Sequence, residues 1–394
     1  MTSTKRSMRL QCPMPKLDFD VITLGHGSGG ILTNKLLDSG VFNLLENDHL
    51  QERHDGAFLE LEGQTAFTTD SFVISPVSFP GGDIGELAVN GTVNDLAMCG
   101  AIPQYLSLSF ILEEGLAVEE FWDILVSIKW ACEKAGVQVV TGDTKVVEQG
   151  QGDKIFINTT GLGRVHTKAS IHSDNIQTGD KIIVSGQLAT HGMAIMSVRE
   201  GLEFESELKS DTRCLNHTVK KLLDEFGEDI HLLRDPTRGG VATVLVEIAR
   251  SIGKGIDIKQ HDLPVAQQVD SACEMLGLDP LYVANEGLFM SIVDESIAND
   301  FFGKITAYGR WRTRHINWRG GRQSPQTSTF HQRIGRKAGS KYVNRRTAAA
   351  YLLSSSSRYH KNDVRHEPNL AYTHQGTSAG GGLPSVCVQK STRI

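Results

Sequence analysis

Four aspartates stand where an apolar run gives way to small or polar residues: Asp70 in FTTDSFV, Asp95 in GTVNDLAM, Asp143 in VTGDTKVV and Asp235 in LRDPTRGG. Any one of them alone reads as a helix cap or turn acid. Four together read differently, because Mg²⁺ takes oxygen ligands, works among phosphates and is held by a few converging carboxylates. Lys145 follows Asp143 by two residues on an extended segment, so both side chains point the same way and can address a phosphate and a second group together. A lysine in such a place offsets developing charge or passes a proton; the plain alternative is a solvated lysine at a strand end. Glu286, in VANEGLFM, lies between apolar runs and is either a turn residue or, if buried near Lys145, a general base.

The string GHGSGG, Gly25 to Gly30, satisfies the GxGxxG spacing of a dinucleotide fingerprint, but the elements after it do not read as the parallel strand that a Rossmann unit needs. A loop whose backbone N–H groups face phosphates is the better chemical reading, with a flexible turn as its rival. His26 within it either touches phosphate or is a hydrogen-bonded turn histidine. No GxxxxGK[ST] occurs, so if ATP binds, acids and metal must do what the P-loop lysine does elsewhere.

These residues need a scaffold, and from about Val21 to Phe302 the pattern supplies one: strand-like runs alternating with helical periodicity, an α/β or α+β chain. VITL reads as a strand, ILTNKLLDSGVFNLL as a helix, and AFLEL with TAFTTDSFVI as a hairpin around EGQ. IGELAVNGTVNDLAM and FWDILVSIKWACEKAG read as helices packed on a sheet. A polar stretch near His166 to Thr178 suggests a boundary, and a second unit runs from DKIIVSGQL to a last strand, YVANEGLFMSIV. The expected organisation is therefore a flexible 1–20, domains over 21–168 and 169–302, and a remainder over 303–394.

The remainder is compositionally foreign. From Gly303 onward the net charge is +15, against −21 for the preceding residues. Apolar periodicity stops at the same point, so no packed core is expected in the basic 303–394 segment, which reads as disordered. Its arginines, interleaved with Tyr308, Trp311 and Trp318, fit a nucleic-acid grip. A reading-frame change near Gly303 explains the same facts more fully, because charge and hydrophobic pattern change together. Six scattered cysteines with no CxxC pair suggest neither a disulfide framework nor a zinc knuckle, and fit a reducing cytoplasm. No apolar run of membrane-spanning length and no signal-peptide core is seen.

Taken in order and spacing, HGSGG, FTTDSFVISP, FPGGDIGELAVNGTVNDLAMCGAIP, SFILEEGL, VTGDTKVV, LRDPTRGGV and ANEG resemble the HypE hydrogenase maturation factors, carbamoyl dehydratases of the PurM-like ATPase superfamily. The resemblance covers about 21–302. It implies two PurM-like domains, each a mixed sheet covered by helices, and a homodimer in which N-terminal sheets join, with ATP and Mg²⁺ held between the domains near the dimer interface. By motif, Asp70, Asp95, Asp143 and, less directly, Asp235 are implied as metal and phosphate residues. His26, Gly27, Ser28, Gly29, Gly30, Asn94 and Thr144 are implied as nucleotide contacts, and Lys145 with Glu286 as the proton-handling pair. The implied reaction dehydrates an S-carboxamide on a C-terminal cysteine to a thiocyanate. HypF supplies the carbamoyl group, and a HypC–HypD complex takes the cyano group toward the iron of [NiFe] hydrogenase. Relatives end in the carrier cysteine, whereas this sequence ends KSTRI, with Cys387 in another context; the expectation is a family enzyme whose own activity is open. A selenophosphate or aminoimidazole ribotide synthetase, and a non-catalytic binding protein, are the competing readings.

Overall fold

The computed structural model describes residues 12–202, 208–253, 255–256, 258 and 262–308, and the backbone of 314–316. Val21 makes only an isolated bridge to Ala117, so VITL is not a strand. The glycine-rich turn leads into helix α1 (Ile31–Leu37), continued by a π-turn to Phe42. The first sheet is built from β1 (Thr65–Phe72), β2 (Ala101–Glu113), β3 (Gln138–Val147) and β4 (Ile155–Val165), and helices α2 (Ile84–Met98) and α3 (Val118–Ala135) pack on it.

Its strand order is β1-β4-β2-β3. The parallel β2–β3 pair is joined by α3 as a crossover, while β4 runs antiparallel to both β1 and β2. The expected hairpin does not form: residues 57–62 carry no strand, Phe58 stays exposed, and β1 takes all its pairing from β4. Local turn signals lost to a distant partner that offers eight consecutive register pairs, Thr65↔Arg164 to Phe72↔Ile157.

The sheet has one covered and one bare face. Along β1 the odd positions are exposed and the even ones are turned inward, ending at buried Phe72, so Asp70 faces the helices and Phe67 faces away. Between helices and sheet lies a core that includes Leu106, Phe110, Ile124 and Leu125, with Phe110 and Phe121 edge to face at 5.3 Å. The opposite face presents Phe67 and Ile111, 68% and 43% exposed.

Helix α3 has Glu119 and Glu120 in its first turn and stops at Gly136 in the left-handed conformation, φ 72°; both suit the helix dipole and the C-terminal cap. Helix α2 starts at Asp83, a fully buried carboxylate that accepts from the N–H groups of Gly85 and Glu86 and from the Ser127 hydroxyl of α3. Asp83→Ala strands these donors inside the core and is expected to lower the unfolding free energy by about 2–4 kcal/mol, read by denaturant titration.

Residues 166–180 connect to the second sheet, formed by β5 (Lys181–Val184), β6 (Ile230–Arg234), β7 (Met290–Val293) and β8 (Arg314–Ile316), in the order β8-β5-β7-β6 and antiparallel throughout. Helices α4 (Thr190–Arg199), α5 (Asn216–Phe226), α6 (Gly240–Ile252), α7 (Gln267–Leu276) and α8 (Ala298–Tyr308) accompany it. The expected last strand is shorter than read, because YVANEGLF is a 3-10 turn and a loop and only Met290–Val293 pairs.

The anticipated end at Phe302 falls inside α8. Ile305 is fully buried beside Phe301, and the Tyr308 hydroxyl donates to Glu225. Of the aromatics in the nucleic-acid reading, Tyr308 thus packs partly against the core. The other two aromatics of that reading and nearly all the basic segment lie outside the described residues, as do Cys387 and the chain end. No helix among the described residues is long and apolar enough to cross a membrane.

Candidate active site

Four segments deliver acids to one place. Asp70 comes from the inward side of β1, and Asp95 from the last turn of α2, where Thr68 of β1 donates its hydroxyl to Asp95 Oδ2 at 3.0 Å. Asp235 follows β6 in the loop before α6, and Glu286 lies in the loop before β7. Asp70 acts on Asp95, both act on Asp235, and all three act on Glu286. Burial lifts Asp95 to about 6, with Asp70 adding its charge and Thr68, Arg234 and Arg238 opposing. Burial also lifts Asp235 to about 7, with Asp95 and Asp70 pushing the same way. The Glu286 carboxyl is held well above the usual range by burial and by the charges of Asp235, Asp211, Asp70 and Asp95. Asp70 is raised by burial, against the Ser71 N–H and Arg238.

Carboxylates that repel one another and cling to protons are relieved by a hard divalent cation, and a donor set of oxygens alone suits Mg²⁺. Without a cation the same groups set a pH dependence. Their ordinary value is 3.8 for Asp, so the unfolded chain ionises first as pH rises. The stability these groups confer is complete below that value and is lost as pH climbs through about 6 and about 7. Chelator-treated protein is expected to melt lower at about pH 8 than at about pH 5, and Asp235→Asn to narrow that gap. An unchanged gap in the variant contradicts the assignment.

The glycine loop meets β3 instead. A Cβ at Gly27 would stand 2.5 Å from the Val146 backbone nitrogen, so the loop lies directly on the strand that carries Asp143 and Lys145. Gly29 sits at φ +79° and donates its N–H to the Thr33 hydroxyl, while the Ser28 hydroxyl donates to the Gly25 carbonyl and the Gly30 carbonyl accepts from Asn34. Asp143 and Lys145 are both exposed and 3.4 Å apart, as alternation requires, with Thr144 buried between them and its N–H on Asp143 Oδ1. Gly27, Gly29, Thr33 and the 141–144 segment line a cleft of about 170 Å³ with an apolar floor of Leu108, Phe110 and Val139. His26 is buried against Phe19; Nδ1 accepts from the Thr23 N–H, which leaves the proton on Nε2, and Nε2 has no partner. Burial lowers its pKa, so the ring is neutral.

These two groups are separate within the chain, which corrects the expectation that Asp143 joins Asp70 and Asp95. Asp70 pairs with Thr159, Thr159 with Leu108, and Leu108 with Gly142, so Asp70 and Asp143 lie at opposite edges of the sheet, about 14 Å apart at about 4.8 Å per strand. Lys145 and Glu286 are parted in the same way: the ion partner of Lys145 is Asp143, whereas Glu286 lies among Asp235, Asp211, Asp70 and Asp95. Adjacency in VVTGDTKVV told the direction of two side chains but not which strand of the sheet they occupy.

Asn94 is also corrected. It is buried, its Oδ1 accepts from the Leu215 N–H, and its Nδ2 donates to the carbonyls of Arg213 and Glu286, so both of its donors are spent within the fold. Two residues went unnoticed in the sequence. Arg238 sets its guanidinium 3.6 Å from Asp70 while remaining exposed, and its signal was its place in the same RDPTRGG loop as Asp235. Asp211, in SDTRC, is half-buried, accepts from the Glu286 and Gly287 N–H groups and carried no motif. A further group, Asp180, His231 and Asp294, closes strand ends: Asp180 Oδ2 takes the Gln177 N–H and His231 Nδ1.

Comparison with known proteins identifies the two domains. Residues 53–165 match the family of AIR synthase related protein, N-terminal domain, and 177–312 its C-terminal domain. The carbamoyl dehydratase HypE of Azotobacter vinelandii is 46% identical over 292 residues, 74% of this chain and 85% of that protein. The Escherichia coli K12 protein of the same name is 43% identical over 293 residues, 73% and 87% of the two chains. A crystal structure of hydrogenase maturation protein HypE in complex with ATP superposes with a TM-score of 0.73 at 43% identity, covering 75% of this chain and 88% of that one. A structure of a HypE–HypF complex gives 0.63 at 43% identity, with 73% and 93% covered. Thiamine monophosphate kinase from Aquifex aeolicus, at 20% identity and a TM-score of 0.51, shares the fold. With identities above 40% over more than two thirds of the chain and two AIR-synthase-related domains, this chain belongs to the HypE family of carbamoyl dehydratases.

Proposed function

We propose that the chain dehydrates an S-carboxamide on a protein cysteine to a thiocyanate, coupled to cleavage of ATP. The observation that carries this is the convergence of Asp70, Asp95, Asp235 and Glu286 from four segments; the ATP-bound relative supports the nucleotide. An amide oxygen is a poor leaving group, so it must first become a phosphate ester. The carboxamide oxygen forms a bond to the terminal phosphorus as the bond to ADP breaks, and the nitrogen gives up one proton. The C–O bond then breaks with departure of phosphate, the second N–H proton leaves, and a C≡N bond remains.

Asp70, Asp95 and Asp235 would hold Mg²⁺, whose chemistry is to offset phosphate charge and align the transferred group. Glu286, with its proton held well above the usual range, is placed to exchange a proton with the amide nitrogen. Lys145 offsets charge on the oxygen that leaves, and the glycine loop offers backbone N–H groups to phosphate, with the unpaired His26 Nε2 as a further donor.

The two residue groups meet in a homodimer. The bare sheet face with Phe67 and Ile111 is the surface for it. When two such faces pack about a two-fold axis running along the strands, the β3 edge of one copy stands opposite the β1 edge of the other. Asp143, Lys145 and the glycine loop of one copy then complete the acids of its partner. HypF is the carbamoyl donor, in keeping with the solved HypE–HypF complex; HypC–HypD is the acceptor that leads to the iron of [NiFe] hydrogenase. The reaction belongs in the cytoplasm, where the five described cysteines, all free, stay reduced.

The test is mass spectrometry of a peptide bearing S-carbamoyl cysteine, incubated with the full chain, ATP and Mg²⁺. Loss of the mass of one water, with ADP and phosphate formed in equal amount, is expected. ATP cleavage that leaves the peptide unchanged contradicts the reading.

A further inference from the structure

We propose that Asp211 is the positioning residue for Glu286, its carboxylate clasping two successive backbone N–H groups so that Glu286 keeps its place beside Asp235 and Asp95. The proposal rests on the reading of Glu286 given above. Asp211 Oδ1 accepts from the Glu286 N–H at 3.3 Å and Oδ2 from the Gly287 N–H at 3.1 Å. The approach is so close that a Cβ at Gly287 would lie 1.6 Å from the Asp211 carbonyl oxygen; only glycine fits after Glu286.

The rest of the loop is fixed by side-chain amides. Asn285, fully buried, accepts from the Ala189 N–H and donates to the carbonyls of Pro236 and Val283. Since Pro236 follows Asp235, this bond sets the Glu286 loop against the Asp235 loop. The Glu286 carbonyl receives Asn94 Nδ2. Asp211 holds the remaining backbone group, the N–H.

Asp211 also transmits the position of the first domain. Its segment is tied to α2 by Asn90, which donates to the Thr212 hydroxyl, and by Asn94, which bonds Arg213 and Leu215. Asn90 and Asn94 are four residues apart and share one face of the helix. Ser210, next in line, donates its N–H to the Pro80 carbonyl. The helix that carries Asp95 is thereby linked through 210–215 to the loop that carries Glu286. Asp211 itself is raised by burial, while the two N–H bonds and Arg213 pull it down.

The experiment compares Asp211→Asn and Asp211→Ala with the wild-type chain in the peptide assay. A displacement of about 1 Å costs about 10²-fold in rate, so kcat is expected to fall about tenfold in the Asn variant, which can still accept one N–H, and about a hundredfold in the Ala variant. KM for ATP should stay within about twofold, the split that marks an effect on the chemical step. Wild-type kcat in both variants overturns the proposal, as does a rise in KM that matches the fall in kcat, since general loosening gives that. The amide NMR resonances of Glu286 and Gly287 provide a readout without turnover: they should shift in Asp211→Ala, and unmoved resonances overturn the clasp. If the wild-type chain forms no thiocyanate, the reading of the reaction fails and these resonances alone decide Asp211.

Discussion

Asp95→Asn is expected to lower Mg²⁺-dependent thiocyanate formation by about 10²–10³-fold, because a metal-bound charge in such a site is worth several kcal/mol and each 1.4 kcal/mol is about tenfold. The substitution is nearly isosteric. It keeps an oxygen to accept from Thr68 but removes one of the charges that act on Asp235 and Glu286. The fold should therefore gain a little stability without cation and lose its cation response. The measurement is paired: turnover by mass spectrometry, and melting temperature with and without Mg²⁺. A variant that is still stabilised by Mg²⁺ as strongly as the wild type excludes Asp95 from the cation site.

Lys145→Ala should cost about 10²–10⁴-fold in turnover, the range for a lost proton-transfer or charge-offsetting group. Its ammonium stands 3.4 Å from Asp143 and is 65% exposed, so it contributes little to folding and its removal leaves no buried charge behind. Melting temperature should be unchanged. A variant that keeps full rate assigns Lys145 to the solvated strand end that the sequence also allowed. On the proposed function the glycine loop still offers its donors to phosphate, so ATP affinity should change far less than rate.

Motif strings carried much of the scaffold. Helices α2 and α3 follow directly from runs of apolar residues at helical spacing, and both cap where their sequences stop, at Cys99 and Gly136. The strands were less legible because pairing is a long-range choice. TAFTTDSF is a strand as read, yet its partner is β4 and not the adjacent AFLEL. The continuation of α8 past Phe302 was illegible because Arg and Trp dominate the composition after 308, hiding the short apolar repeat of Phe301, Ile305 and Tyr308.

At the site, side-chain type announced the acids, and the fold brings Asp70, Asp95, Asp235 and Glu286 together. What the sequence hid was strand order. Nothing in VTGDTKVV says that β3 is the far edge from β1, and so nothing in it separates Lys145 from Glu286. Asn94 was implied as a nucleotide contact by the resemblance alone; helical geometry turns it by about 100° from Asp95 and into the contact with Arg213 and Leu215. Asp211 was invisible for the opposite reason, since it serves a backbone and has no side-chain motif.

The central claim is that acids of one copy work with Lys145 and the glycine loop of another. Mixing two inactive proteins, Asp95→Asn and Lys145→Ala, under conditions that let subunits exchange tests it most directly. In a mixed dimer one site receives both intact groups and the other receives neither. Random exchange makes about half the dimers mixed, so about one quarter of wild-type turnover should return. A mixture that stays as inactive as its two components would contradict the claim and place the whole site within a single chain.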